Sequence, residues 1–459
     1  MKPILALTLL ALTAQPNPYH QLGRAVLKEL IETNTTPAHG NTTDAAEKLA
    51  ARFRAAGFAE TDIQVIGPED RDKNFIVRYH GRPGGTLKPI LLIAHLDVVE
   101  AKREDWSVDP FVLTEKDGYF YGRGTQDVKG GGATLATALL RLKSEGFVPN
   151  RDIILALTAG EEGGEGETYN GVQWLITNHR NLIDAEYCIN VDAGGGEMDK
   201  GKRTIFDVQA AEKVYHSVSL TAKNPGGHSS LPRPDNAIYA LSKALDRLSQ
   251  YAFPAQPNQI VRAYFDKAAL AAPPALAADM KRVAAGNADA ATYARLSKTP
   301  LYNAQLRTTC VATELSGGHA ENALPQTARA VVNCRMLPDA APMDVERTLV
   351  RVIADTSVHL APIDTAKPSP PSPLRPDVFN AIDAAVKAQW GAMPIVPEME
   401  TGATDGLYLR NAGIPVYGLS GIFIDINDVR AHGKDERILV SAFDDALDFT
   451  YSLIKRLTG

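Results

Sequence analysis

PILLIAHLDVV, Pro89 to Val99, joins a strand-length apolar run to a histidine and an aspartate, and both the fold and the chemistry are read outward from it. The run Pro89–Ala94 lacks polar alternation, as expected of a strand covered on both faces. Two more runs have the same form, DIILALT at Asp152–Thr158 and YCINV at Tyr187–Val191. Between the first two, Lys129–Glu145 sets Leu135, Leu139 and Leu142 on one helical face, and Gly146 supplies a stop. Alternation of strands and helices predicts an α/β fold: a mostly parallel sheet with helices on both faces.

Two helices, Tyr19–Thr33 and Thr43–Ala56, are predicted before this unit. After it the pattern changes. KVYHSVSLTA (Lys213–Ala222) alternates like a half-exposed strand, Asn236–Ser249 reads as a helix, Thr327–Leu337 as a strand and Pro342–Asp355 as a helix. That order suits a small α+β unit with an antiparallel sheet, interrupted by an Ala- and Pro-rich helical insertion at Pro254–Ala291. KPSPPSPLRP (Lys367–Pro376) is a stiff connector, because repeated proline blocks helix and central strand alike. A helix at Val378–Trp390, a strand at Pro415–Leu419 and a closing helix at Ser441–Leu457 then resume the α/β pattern. The expected organisation is a catalytic domain in two parts, 15–209 and 369–459, with an α+β lid and dimerisation domain, 210–368, inserted between them.

The 459 residues carry a net charge of −6, which argues against a nucleic-acid partner. MKPILALTLLALTA begins with Lys2 and an apolar run from Ile4 to Ala14, too short for a bilayer core needing about 20 residues. It fits a signal peptide at 1–14, so the mature protein is expected to be exported to the periplasm or beyond, with no membrane association once the signal is removed. Cys188, Cys310 and Cys334 are too few for a disulfide scaffold; at most one pair could bridge, and buried thiols are the simpler reading.

His95 and Asp97 follow the first strand, Glu161 and Glu162 the second, and Asp192 the third. Open α/β sheets bind ligands beyond the carboxyl ends of their strands, so three acidic or imidazole clusters fall where a site belongs. Asp97 is placed to orient the ring of a metal-bound His95. Asp127, in YGRGTQDVKGG, reads from its neighbours either as a ligand or as a helix N-cap. A structural turn at Pro225–Gly227, a surface-loop His432 and a strand-pair Arg335 are equally open on local pattern alone. His20, His39, His80, His179, His216, His319 and His359 belong to no motif and are read as surface or packing residues.

HLDVV, GRGTQDVKGG, AGEEGG, NVDAGGG, NPGGHSS and AHGKDE, in this order, resemble the two-metal zinc exopeptidases: carboxypeptidase G, the carnosinases, succinyl-diaminopimelate desuccinylase and aminoacylase. The resemblance implies that Asp127 bridges two Zn²⁺ ions, with His95 and Asp192 completing one and Glu162 and His432 the other. Co²⁺ or Mn²⁺ would suit the same ligands. It further implies Glu161 as general base, His228 as an oxyanion-stabilising group reaching across a homodimer, and Arg335 with Asn322 as contacts for a substrate carboxylate; Asp97, through its expected contact with His95, is counted with Glu161 and His228 as catalytic. Thr404 and Asp405 of TGATDG match a substrate-side loop, and Glu436 follows the last ligand as an acidic residue does in similar enzymes. The expected reaction is hydrolysis of a terminal amide bond in a dipeptide or short peptide. An N-acyl-amino-acid amidohydrolase with the same metals is the alternative, and a peptide-binding protein without catalysis the third reading.

Overall fold

The computed structural model describes residues 17–163 and 169–459; the signal segment 1–14 lies outside them. A ten-stranded sheet runs through the larger part of the molecule, and its centre is four parallel strands in the order Ile153–Thr158, Ile90–His95, Tyr187–Asn190 and Val416–Gly418. All six residues of Ile90–His95 are buried. Ile90, Leu92 and Ala94 pack with the helices Pro18–Ile31, Lys129–Ser144 and Val440–Thr458 on one face, while Leu91 and Ile93 meet Val172, Leu175 and Leu409 on the other. Two covered faces explain why the sequence shows an unbroken apolar run here rather than alternation. Antiparallel strands flank the parallel centre, Asn74–Tyr79 and Ile63–Ile66 at one edge and Lys202–Glu212 and Gly195–Asp199 towards the other.

The second sheet is antiparallel throughout, in the order Thr309–Gly317, Thr327–Met336, Val214–Lys223 and Val358–Pro362. Val218, Leu220 and Val332 on one face pack with Leu241 of helix Ala237–Ser249 and with Val345 and Leu349 of helix Pro342–Ile353. The edge strand Thr309–Gly317 presents Val311 and Leu315, 59% and 68% exposed.

Two sequence expectations change. The helices Gln259–Ala268, Pro274–Ala284, Ala290–Leu296 and Pro300–Leu306 lie within the small unit in sequence, yet Ile260, Val261 and Phe265 pack against Ala210, Ala211, Val396 and Met399 of the large sheet. The Ala- and Pro-rich composition marked a helical insertion at Pro254–Ala291, short of Pro300–Leu306, and composition does not tell which neighbour receives the buried face of a helix. Cys310 and Cys334, read as buried thiols, are register partners on adjacent antiparallel strands and form a disulfide; Cys188 alone stays a buried thiol. Their pairing follows from strand register, which spacing along the chain does not reveal.

Candidate metal centre

Three adjacent parallel strands at the centre of the sheet deliver the acidic and imidazole groups to their carboxyl ends. His95 is the last residue of its strand, Glu161 and Glu162 lie just beyond Thr158, and Asp192 just beyond Asn190. Asp127 comes from the turn ahead of helix Lys129–Ser144, whose start lies hard against that turn: a Cβ on Gly130 would sit 2.2 Å from the Thr125 carbonyl oxygen. The helix has Val128 as N-cap and no side-chain capping bond, so Asp127 is not a cap. His432 enters from the loop between Ile424–Asp425 and Arg437–Leu439, with φ of 61°.

The ring of His95 places Nδ1 2.9 Å from the Asp97 backbone oxygen. A proton on Nδ1 donated there leaves the Nε2 lone pair free for a metal. That Nε2 lies 3.0 Å from Asp127 Oδ1 and 3.5 Å from Asp192 Oδ1. His432 Nε2 lies 3.0 Å from Asp127 Oδ2 and 2.8 Å from Glu162 Oε2. The two oxygens of Asp127 are thus divided between two imidazoles, each with a second carboxylate beside it. Ligand atoms of His95, Asp127 and Glu162 all lie within 4.8 Å of one another, as do those of His95, Glu161 and Asp192. Glu162 Oε1 is buried without a hydrogen-bond partner. Nitrogen and carboxylate donors gathered this closely, one oxygen orphaned, fit two divalent ions sharing Asp127.

The electrostatics of these groups have the same cause. Burial would depress the His95 imidazole, but Asp127 and Asp192 outweigh it and hold the ring well above its usual range. Asp127 and Glu162 raise His432 to about 10. Burial opposes ionisation of Asp127, yet His432 and His95 hold it below the ordinary carboxylate range. Burial and then Asp192 push Glu161 well above its usual value. Protons here take the places that cations fit.

Asp97 meets both neighbouring ligands: its backbone oxygen faces His95 Nδ1 at 2.9 Å, with the carboxylate Oδ1 3.8 Å from the same nitrogen, and Oδ2 accepts the Glu162 N–H at 2.9 Å. Glu436, given only a place in the sequence pattern, is 0% exposed and ties two loops together. Oε1 accepts the N–H groups of Gly124, Gln126 and Asp127, and Oε2 accepts from Arg123 at 2.6 Å. Arg123 also donates to the carbonyls of His432 and Gly433, while Gln126 Oε1 accepts from the amides of Arg430 and Ala431. Arg123 and Gln126 were missed; their signal was only their position in the glycine-flanked turn. Asp405 accepts from Thr158 and Asn170 beneath the site, and burial lifts it to about 7.

His228 is in neither of the two ligand groups found among the described residues. His228 is exposed on the short ribbon Gly227–His228/Ala323–Leu324, with Nδ1 2.7 Å from Ser230 Oγ. Ser229 N–H donates to the Asn322 carbonyl, and the Arg335 guanidinium lies 4.7 Å over the Tyr215 ring.

The chain is 29% identical over 381 residues to the Dictyostelium discoideum protein named probable carboxypeptidase S-like 2, covering 81% of this chain and 72% of that one. It is 28% identical to the human N-fatty-acyl-amino acid synthase/hydrolase PM20D1, covering 81% of this chain and 74% of that one. An M20 family metallo-carboxypeptidase of Sulfolobus solfataricus has the same fold, with TM-score 0.67, 18% identity and coverage of 95% and 99%. The sequence profile of peptidase family M20/M25/M40 matches residues 91–456, and the chain belongs to that family, as a metal-dependent hydrolase.

Proposed function

We propose that this protein is an exported dinuclear zinc exopeptidase that hydrolyses the terminal amide bond of dipeptides or short peptides. The observation that carries the reading is the division of the Asp127 carboxylate between His95 and His432, with Asp192 and Glu162 at the outer sides. His95 and Asp192 would hold one ion, Glu162 and His432 the other, and Asp127 both. Zinc held there would polarise the scissile carbonyl and acidify water. Glu161 takes the proton of the attacking water and returns it to the leaving amine. Asp97 keeps His95 and Glu162 oriented through its carbonyl and carboxylate.

Arg335 suits the terminal carboxylate of a substrate, since a guanidinium donates two parallel hydrogen bonds, with Asn322 as its companion. His228 serves the oxyanion of a neighbouring copy. The exposure of His228 and of the edge strand Thr309–Gly317 supports a homodimer. In this reading 15–209 and 369–459 form the catalytic domain and 210–368 the lid. The leader and the Cys310–Cys334 disulfide support export to an oxidising compartment, periplasmic or extracellular.

The second reading, an N-acyl-amino-acid amidohydrolase, is favoured by the similarity to the human acyl-amino-acid hydrolase. Amino-acid release by the zinc-reconstituted protein, from free dipeptides beside matched N-acylated amino acids, separates the two. Chelator-sensitive cleavage of the dipeptides supports the exopeptidase; cleavage confined to the acylated set replaces it with the amidohydrolase.

A further inference from the structure

Beside Asp192 opens a cavity of about 450 Å³ whose lining includes Glu197, Asp207, Glu398 and Glu400 and, among the described residues, no Lys, Arg or His. Glycine shapes its floor. Gly194 and Gly195 have φ of 69° and 121°, and a Cβ on either would lie 2.5 Å from the Gly418 carbonyl oxygen or 2.4 Å from that of Ser420. The chain leaving Asp192 therefore passes close under those carbonyls and carries Glu197 to a bulge opposite the strand that bears Asp207. The carboxyls of Glu197 and Asp207 meet there. Asp207 is only 4% exposed, and its Oδ1 has no hydrogen-bond partner.

Four carboxyls converging on one cavity without a cation are unfavourable unless something positive enters or protons are taken up. Burial and neighbouring carboxylates hold Asp207 and Glu398 well above the usual carboxylate range, in line with that strain. A bare metal ion is a poor candidate. Among the described residues, groups of three or more whose ligand atoms converge within 4.8 Å occur only at the centre built on His95, so these carboxylates are too spread for one small ion. The cavity also has an apolar side, Ile422, Ile424 and Val429, of the kind that an alkyl stem covers.

We infer that this cavity receives a positively charged substrate group on an aliphatic stem, the ammonium of a lysine-like residue, and that Asp207 and Glu398 are the specificity-determining carboxylates. This deepens the hydrolase reading and rests on it for the orientation of the peptide towards the metals. A fatty acyl chain would use the apolar side but would bring no cation to the carboxyls.

The test is a set of dipeptides in matched pairs, lysyl against norleucyl at each position, which differ by one charged group on otherwise similar stems. With the zinc-loaded protein, kcat/KM for the preferred lysyl peptide should exceed that of its norleucyl partner by about tenfold or more. In Asp207→Asn, and separately in Glu398→Gln, that ratio should fall towards one whatever the absolute rate. A wild-type ratio of one or less, or a ratio unmoved in both variants, overturns the inference. If neither member of any pair is cleaved, the exopeptidase reading fails on its own. The same lysyl-to-norleucyl ratio, read as calorimetric Kd, then decides the cavity with the same two outcomes.

Discussion

At the site, each ligand is held by a contact outside the metal position, and two substitutions separate chemistry from scaffolding. Glu161→Gln keeps the size of the side chain but removes the base, so the variant should still bind two ions while losing about 10²–10⁴ of turnover. Metal content by atomic spectroscopy beside kcat reads this out; full activity would remove Glu161 from the mechanism. Glu436→Ala acts on position rather than on a proton. It strands Arg123 and three backbone N–H groups, at a cost of about 3 kcal/mol or more for breaking a buried ion pair. It should also free the His432 loop, lowering zinc stoichiometry towards one. His95, Glu162 and Asp192 were legible as candidate ligands because they follow strand ends, where the topology itself collects them, whereas Asp127 and His432, in a turn and a loop, rested on the family resemblance. Glu436, Arg123 and Gln126 were not legible, since a buried polar group in a loop has no periodicity, and its partners lie about 300 residues away.

Among the elements, runs with two covered faces were read within a residue or two. The strand expected at Asp152–Thr158 spans Ile153–Thr158, and the helix expected at Lys129–Glu145 ends at Ser144. Partners were harder to see than elements. The helix Gln259–Ala268 shows one apolar face in sequence, but its packing on Ile395–Glu400 depends on a strand more than 100 residues later. Cys310 and Cys334 illustrate the same limit, because only the register of their strands aligns them. The bridge closes a separation of 24 residues, so its reduction should lower stability by about 2–4 kcal/mol. Thermal unfolding of Cys310→Ser/Cys334→Ser against wild type measures this. An unchanged midpoint would show that the sheet alone fixes these strands.

Across the whole molecule, the two sheets meet at Lys213, between Lys202–Glu212 and Val214–Lys223. Its Nζ donates to the carbonyls of Ala304 and Arg307 at 2.9 and 2.8 Å, which fastens the helical segment to the junction. Burial, and then the charge of Arg335, bring its pKa down to about 7. A lysine depressed in the folded state binds fewer protons there than in the unfolded chain between pH 7 and about 10. Its contribution to stability therefore rises with pH in that window, by at most about 1.4 kcal/mol per pH unit. From pH 7 to 8.5 wild type should gain stability relative to Lys213→Met, measured by denaturant unfolding of the metal-free proteins; parallel curves would contradict the assignment.

The central claim is that one carboxylate, Asp127, lies between two metal positions. Crystals of the zinc-loaded protein, measured at the zinc absorption edge, test it directly. Two anomalous peaks per chain are expected, one beside His95 and Asp192 and the other beside Glu162 and His432, with Asp127 contacting both. A single peak, or two that do not share Asp127, would contradict it.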